Sequence, residues 1–309
     1  MKKRRNIIWL SAAILAIIVL ANVAYRLSIW ALGENYAKFE PFDVSKNFTI
    51  IVLPDTQKYV LNSSLSGILT NQTKWIVNNQ DRLNIKFSIF EGDLVDYASD
   101  INQWNRVNSS LSLLDGEVEY SVVPGNHDHP LDNFNKFFPV SRFSNENYGF
   151  FRDNRNNYYL LDAGNSKFII LNLNFCPDKE EVSWAGSVLR TFSLREAIFV
   201  THGYLNTEGN TSVYGCDTKY LFSDLVEKNP NVLLVLSGHV HGEAMKSDKN
   251  LAGNQVYQLL ADYQSLPNGG NGWLRILEFS GNRVYVRTYS PYLNQYQKDN
   301  NSEFVLELK

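Results

Sequence analysis

Five short polar clusters punctuate the chain: Asp55-Thr56-Gln57, Gly92-Asp93 with Asp96, Gly125-Asn126-His127-Asp128, His202-Gly203 and Gly238-His239-Val240-His241. Four of the five histidines lie inside them, and the fifth, His129, sits two residues beyond His127. Carboxylate, amide oxygen and imidazole are ligands that Mn, Fe and Zn accept. One aspartate has two oxygens and can bridge two ions. Two ions roughly 3.5–4 Å apart activate a shared water and clamp the attacking and leaving oxygens of a phosphoryl group. Glycines next to such ligands let the backbone turn sharply and come close. Taken singly, each cluster has a bland reading. Asp55 would serve as a helix N-cap, Asn126 as a turn residue beside Gly125, and His239 and His241 as surface histidines at a strand end. All five bland readings would have to hold together.

Ligands so far apart in sequence must be gathered by the fold. Phe48–Leu53, Lys86–Phe90, Glu119–Val123, Glu196–Val200 and Val232–Leu236 are apolar runs, each ending at one of the clusters. Between the first three lie helical patterns, one with Ile68, Trp75, Ile76 and Asn79 on one face and one over Ile101–Leu114. This β-α-β-α-β series predicts a largely parallel sheet with helices outside it. Ligand sites in open α/β sheets lie at the carboxyl ends of strands, so the five clusters point to one rim. Asn157–Leu161 and Lys167–Asn174 read as a hairpin across Asp162-Ala163-Gly164-Asn165. Helices are expected over Lys179–Thr191 and Asp217–Lys228. Gln255–Leu260, Trp273–Phe279, Arg283–Tyr289 and Glu303–Leu308 read as antiparallel strands, with Leu266–Trp273 as a tight loop between two of them. Trp75 and Trp104 sit on helical faces and read as packing residues.

The order Asp-x-Gln, Gly-Asp-x-x-Asp, Gly-Asn-His-Asp, His and Gly-His-x-His resembles the calcineurin-like metallophosphoesterases, from about residue 48 to 242. The resemblance implies a four-layer α-β-β-α sandwich. It also implies two divalent ions. Asp55, Gln57, Asp93 and His241 would hold the first; Asp93, Asn126, His202 and His239 the second, with Asp93 bridging. His127 would steady the phosphoryl oxygens or protonate the leaving group, and Asp128 and Asp96 would orient His127 and the ligands. The implied reaction is hydrolysis of a phosphate mono- or diester by a metal-bound hydroxide. Gln57 departs from the more usual His. As a neutral, harder oxygen ligand it implies weaker binding at the first site and favours Mn or Mg there, with Fe and Zn as the other metals considered. Asp96 stands where purple acid phosphatases carry an iron-ligating Tyr, so a Tyr-ligated iron is not expected.

Three further features surround this core. Gln264 and Asn268 are candidates for substrate contact, because a Gly-Trp-Leu-Arg strand like that at Gly272–Arg275 occurs near the end of related phosphoesterases. The loops Tyr204–Tyr214 and Pro130–Asn147 follow metal clusters and are expected to shape the pocket. Cys176 and Cys216 both emerge near the rim. They read either as a disulfide, if the domain lies outside the cytoplasm, or as two unpaired small apolar side chains.

The chain has 309 residues, is 44% hydrophobic and 20% charged, and carries a net charge of −3. Those values exclude a disordered chain and a multi-span membrane protein. The negative charge and the absence of basic clusters at the rim argue against a nucleic-acid partner. Two cysteines exclude a four-thiolate zinc site. Residues 7–25 carry no charge and follow Lys2, Lys3, Arg4 and Arg5. Nineteen helical residues reach about 28 Å, close to the hydrocarbon thickness. We therefore expect a cytoplasmic basic tail over 1–6, a transmembrane signal anchor over 7–25, a linker over 26–46 and an extracytoplasmic phosphoesterase domain over 47–309. The alternative, a cleaved signal peptide ending near Val19-Leu20-Ala21, would release the same domain. Six Asn-x-Ser/Thr sequons permit glycosylation there. The rival function is a metal-stabilised surface binding domain of the same fold that has lost activity. His127 and the bridging Asp93, which such domains tend to lose, are both in place.

Overall fold

The computed structural model describes residues 47–143 and 145–308. The basic tail, signal anchor and linker expected over 1–46 lie outside the described residues. Among the described residues, no helix is long and apolar enough to cross a membrane.

In chain order the strands begin with β1 (Phe48–Leu53), β2 (Ile85–Phe90), β3 (Tyr120–Val122), β4 (Tyr148–Phe151) and β5 (Asp153–Ala163). They continue with β6 (Ser166–Leu173), β7 (Glu196–Thr201), β8 (Val232–Ser237), β9 (Gly242–Lys249) and β10 (Gln255–Asp262). The last are β11 (Leu274–Ser280), β12 (Arg283–Ser290), β13 (Gln295–Gln297) and β14 (Glu303–Glu307). They form two mixed sheets. The first runs β13-β12-β11-β1-β2-β3, with β14 also paired to β12; the second runs β4-β5-β6-β7-β8-β10-β9. The parallel cores are β1-β2-β3 and β6-β7-β8-β10.

The continuous apolar runs explain these cores. Every residue of β1 is buried, as suits a strand covered on both faces. On the inner faces, Phe48 and Phe279 of the first sheet meet Phe168 of the second at ring distances of 5.4 and 5.2 Å. Phe87 meets Tyr159 at 5.1 Å. On the outer face of the second sheet, Val182, Ala185 and Leu189 of the helix Lys179–Thr191 pack on Ile169, Leu171 and Phe199. The helix Ser66–Asn79 packs on the first sheet through Trp75, whose ring lies 5.1 Å from Tyr289. Thr70 joins it to Ser110 of the helix Ile101–Leu111. Trp104 is fully buried and its Nε1–H donates to the Ala98 carbonyl at 2.8 Å. The result is the expected α/β sandwich of two sheets.

Register brings the strand ends level. Leu53 pairs with Phe90, and Phe90 with Val122. In the second sheet Leu173 pairs with Thr201, Val200 with Leu236, and Ser237 with Leu260. The chain therefore leaves β1, β2, β3, β7, β8 and β10 along one rim.

Several elements differ from expectation. Asp217–Lys228 is not one α-helix: a turn over Lys219–Leu221 widens into a π-helical turn over Phe222–Val226. The widened turn places Leu221, Leu225 and Val226 together in the core under the second sheet. The C-terminal strands do not form one antiparallel block. β10 runs parallel to β8 and closes the second sheet with β9, while β11 to β14 complete the first. β9 reads GEAMKSDK, an edge strand guarded by charges, and so carries little strand signal. Leu266–Trp273 consequently links two sheets, through a single turn at Pro267–Gly270. The segment after Pro130 also holds two short helices, Asp132–Phe137 and Val140–Phe143.

Candidate metal centre

Each candidate ligand sits within a few residues of a strand end. Asp55 follows β1, Asp93 follows β2, Asn126 and His127 follow β3, His202 follows β7, and His239 and His241 follow β8. Asp55, Asp93 and His239 adopt positive φ, at 32°, 48° and 70°. Two glycines make room for these backbones. A Cβ on Gly125 would stand 2.1 Å from Asp93 Oδ1, and one on Gly238 would stand 2.1 Å from Asp55 Oδ2. A side chain at either place would have to displace a proposed ligand.

The innermost group is Asp55, Asp93 and His202, with one ligand atom from each lying within 4.8 Å of the others. His202 Nδ1 donates to the Glu91 carbonyl at 2.9 Å. That bond fixes the ring and leaves Nε2 toward Asp93 Oδ1 at 3.2 Å and Asn126 Oδ1 at 3.2 Å. A metal-binding histidine is commonly held in this way by a carbonyl on its far nitrogen. Gln57 Nε2 donates to Asp93 Oδ2 at 2.9 Å, while Gln57 Oε1 is buried with no hydrogen-bond partner. A buried, unpaired amide oxygen costs free energy unless something binds it, and it is the ligand atom the sequence assigned to a metal. The donor set, the orphaned oxygen and the two glycines all fit a pair of divalent cations.

His239 and His241 are placed less deeply. The His239 backbone N–H donates to both Asp55 carboxylate oxygens, at 3.2 and 3.3 Å. Its ring Nε2 donates to the Tyr214 carbonyl at 2.8 Å. His241 is exposed, with Nε2 3.9 Å from Asp262 Oδ2.

Charge points the same way. Asp55, Glu91, Asp93, Asp128 and Asp262 are each at most 2% exposed. Burial raises Asp55 well above the usual carboxylate range, and the nearby charges of Asp262, Asp93 and Glu91 add to it. Burial pushes Glu91 up to about 8 despite the Arg275 guanidinium. Burial, together with Asp93, pushes Asp128 up to about 7. Burial also raises Asp262. Burial acts against ionisation of Asp93 as well, but His202 beside it holds Asp93 below its ordinary value. Five acidic groups buried beside one imidazole and one guanidinium favour the protonated form in four of the five, and bound cations would take the place of those protons.

The residues expected to support catalysis take particular positions. His127 is partly exposed. Its backbone N–H donates to Asp93 Oδ1 at 2.9 Å, and its Nδ1 donates to the Asp96 carbonyl at 2.9 Å. The Asp96 carboxylate lies 4.0 Å from that nitrogen and pairs with Lys58. Asp128 does not touch the imidazole of His127. Its carboxylate accepts the backbone N–H groups of Gly125, Leu94 and Val95 at 2.8, 3.1 and 3.0 Å. It thus ties the second ligand loop to the third.

The two candidates for substrate contact are placed otherwise. Gln264 is buried beneath the site, meeting Gln57 at 2.6 Å and Asp262 at 3.0 Å. Asn268 is exposed and bonds within its own turn to Asn271. Cys176 and Cys216 form a disulfide, with Cα atoms 5.6 Å apart. It tethers the segment carrying Tyr214 next to Phe175, whose ring lies 5.6 Å from His202 and 5.1 Å from His239. Sequence reasoning missed Asp262 and Lys58. Asp262 is the last residue of β10, at the same rim where the candidate ligands follow their strands, so the strand-end signal would have found it. Lys58 carries no comparable signal.

The sequence profile of the calcineurin-like phosphoesterases matches residues 48–243. The chain belongs to that family. It is 38% identical over 283 residues to the uncharacterized protein YvnB of Bacillus subtilis (strain 168), a match covering 84% of this chain and 22% of that protein. The chain thus spans about a fifth of the length of that curated relative. Among solved structures, a purple acid phosphatase from yellow lupin (Lupinus luteus) superposes with a TM-score of 0.58 at 15% identity, over 86% of this chain and 55% of that one. A dimetal phosphatase from Danio rerio superposes with a TM-score of 0.53 at 12% identity, over 85% and 99%. At these identities the two structures speak for the fold.

Proposed function

We propose that the chain is a two-metal hydrolase of phosphate mono- or diesters, held at a membrane by residues 7–25 with its catalytic domain outside the cytoplasm. The observation that carries the enzymatic part is the buried Asp55–Asp93–His202 cluster, with His202 fixed from behind by the Glu91 carbonyl. Asp55, Gln57, Asp93 and His241 would hold one ion, and Asp93, Asn126, His202 and His239 the other. Bound there, the ions would lower the pKa of a water and neutralise charge growing on the phosphoryl oxygens. The chain's own residues do the rest. Asp128 holds the backbone of the Asp93 and Asn126 loops at one level. His127 donates a hydrogen bond from Nδ1–H to the Asp96 carbonyl. That bond occupies Nδ1 and leaves Nε2 as the nitrogen that can serve the oxygen that leaves. Gln57, a neutral amide, favours Mn or Mg at the first site. Two Zn per chain surviving prolonged dialysis would contradict that preference.

The test is to strip the full-length chain of metal, supply Mn, Fe, Zn or Mg, and follow p-nitrophenyl phosphate and bis-p-nitrophenyl phosphate. Turnover that needs metal and collapses in His127→Ala supports the hydrolase. A folded protein that binds two ions and turns over neither ester supports the rival, a surface binding domain of the same fold.

The placement rests on the charge-free run behind Lys2–Arg5 and is supported by the Cys176–Cys216 disulfide, a bond that persists in oxidising compartments. Protease added to intact cells should remove the domain and spare the N-terminus. Release by alkaline carbonate would instead favour the cleaved-signal alternative.

A further inference from the structure

Beside His127 runs an open groove of about 570 Å³ whose walls include Lys58, Asp96, Tyr97, Ser99 and His129. Asn126 also lines it, and the phosphoesterase reading uses only Asn126, His127 and Asp96 of its lining. Lys58 follows Gln57 directly, so its backbone is fixed by a proposed ligand. Its ammonium pairs with Asp96 Oδ1, and that oxygen lies 4.0 Å from His127 Nδ1. The cation is thus held one carboxylate away from the imidazole. Asp96 is buried at 7% exposure, whereas Lys58 keeps 37% of its side chain open. An ammonium has three donors, and the Asp96 pair occupies one. Tyr97, 59% exposed, adds an aromatic face to the same groove.

The position decides what such a cation meets. If His127 faces the oxygen that leaves, Lys58 stands beside whatever that oxygen belongs to. A neutral alcohol or phenol gains little there. A second phosphoryl group gains a charge-assisted hydrogen bond, and an organic group beyond it can lie against Tyr97. We propose that Lys58 is a specificity-determining residue that selects substrates whose leaving group is itself a phosphate, cleaved at a phosphoanhydride bridge: diphosphate diesters such as nucleoside diphosphate sugars. This rests on the hydrolase reading above. The reaction adds water across the bridge. The water oxygen joins one phosphorus, the bridging P–O bond breaks, and its electron pair stays on the second phosphate. Two phosphate monoesters result, and the water protons pass to their oxygens or to solvent.

The experiment compares kcat/KM of the full-length, Mn-loaded chain for UDP-glucose and for bis-p-nitrophenyl phosphate. The readout is the ratio of the two, so any shared damage from loosening Asp96 cancels. The ratio should fall roughly tenfold or more in Lys58→Met and stay close to wild type in Lys58→Arg. Lys58→Gln serves if the Met variant does not fold. An unchanged ratio in Lys58→Met means that Lys58 only braces Asp96, and overturns the proposal. Wild-type turnover of bis-p-nitrophenyl phosphate without UDP-glucose cleavage overturns it too, while the hydrolase reading stands. Cleavage of neither substrate, with any of the four metals, removes both.

Discussion

Gly238 makes the closest approach to a proposed ligand, level with Gly125. A Cβ there would stand 2.1 Å from Asp55 Oδ2, and the backbone cannot retreat because the Gly238 N–H donates to the His202 carbonyl at 2.9 Å. Gly238→Ala should therefore displace Asp55 while leaving the strands intact. We expect metal affinity and turnover to fall about 10–100-fold, as for other disturbed ligand positions. Metal analysis beside a thermal melt checks this; full metal content in the variant would refute it. At this scale much was legible. Asp55, Gln57, Asp93, Asn126 and His202 do converge, because each belongs to a cluster at a strand end. Roles set by rotamer and backbone direction were not legible. Asp128 was expected to orient His127 and the ligands; its carboxylate holds three backbone N–H groups of the ligand loops and not the imidazole. Gln264 was expected to touch substrate, yet it lies under Asp55 and Gln57. Residue type and spacing do not say which way a side chain turns from a loop.

Among the elements, the segment between β7 and β8 connects the rim to the outer core. Its Tyr214 carbonyl takes the His239 ring, and Cys216 bonds it to Cys176 beyond β6. The two cysteines are 40 residues apart. Closing such a loop stabilises the fold by about 4 kcal/mol in the chain-entropy model. Cys176→Ala/Cys216→Ala should accordingly lower the urea midpoint clearly. His239 should lose its fixed partner, which a shift of its ring resonances in NMR would report. An unaltered midpoint would mean that the segment is held by packing alone. The parallel-core strands were plain in the sequence, because buried strands read as unbroken apolar runs. β9 was not, since an edge strand is written in charges. The π-helical turn at Phe222–Val226 was not either, because its apolar spacing resembles that of an ordinary helix.

For the molecule as a whole, two sheets meet so that their rims enclose five buried carboxylates. That arrangement makes the metal-free state sensitive to pH in a definite direction. Unfolded, Glu91 and Asp128 ionise near 4. Folded, they hold their protons up to about 8 and about 7. Between those limits the folded state binds more protons, so stability falls as pH rises. His202 acts in the same sense. Burial opposes its charge, yet Asp93 raises it overall, so its contribution is complete below its unfolded value and is lost as pH rises through the higher folded value. The urea midpoint of the stripped chain should thus drop from pH 5 to pH 8. Mn should restore it more at pH 8 than at pH 5. A midpoint that rises over this range would contradict the account. The pairing of sheets followed from the family resemblance rather than from periodicity, which reveals strands but not which layer each joins.

The most direct test of the central claim is X-ray diffraction from crystals grown with Mn, with anomalous differences recorded near the Mn absorption edge. We predict two peaks roughly 3.5–4 Å apart, as in other two-metal sites. Asp93 should lie between them, Asp55 and Gln57 on one side, and Asn126 and His202 on the other. A single peak, or peaks away from Asp55, Asp93 and His202, would contradict it.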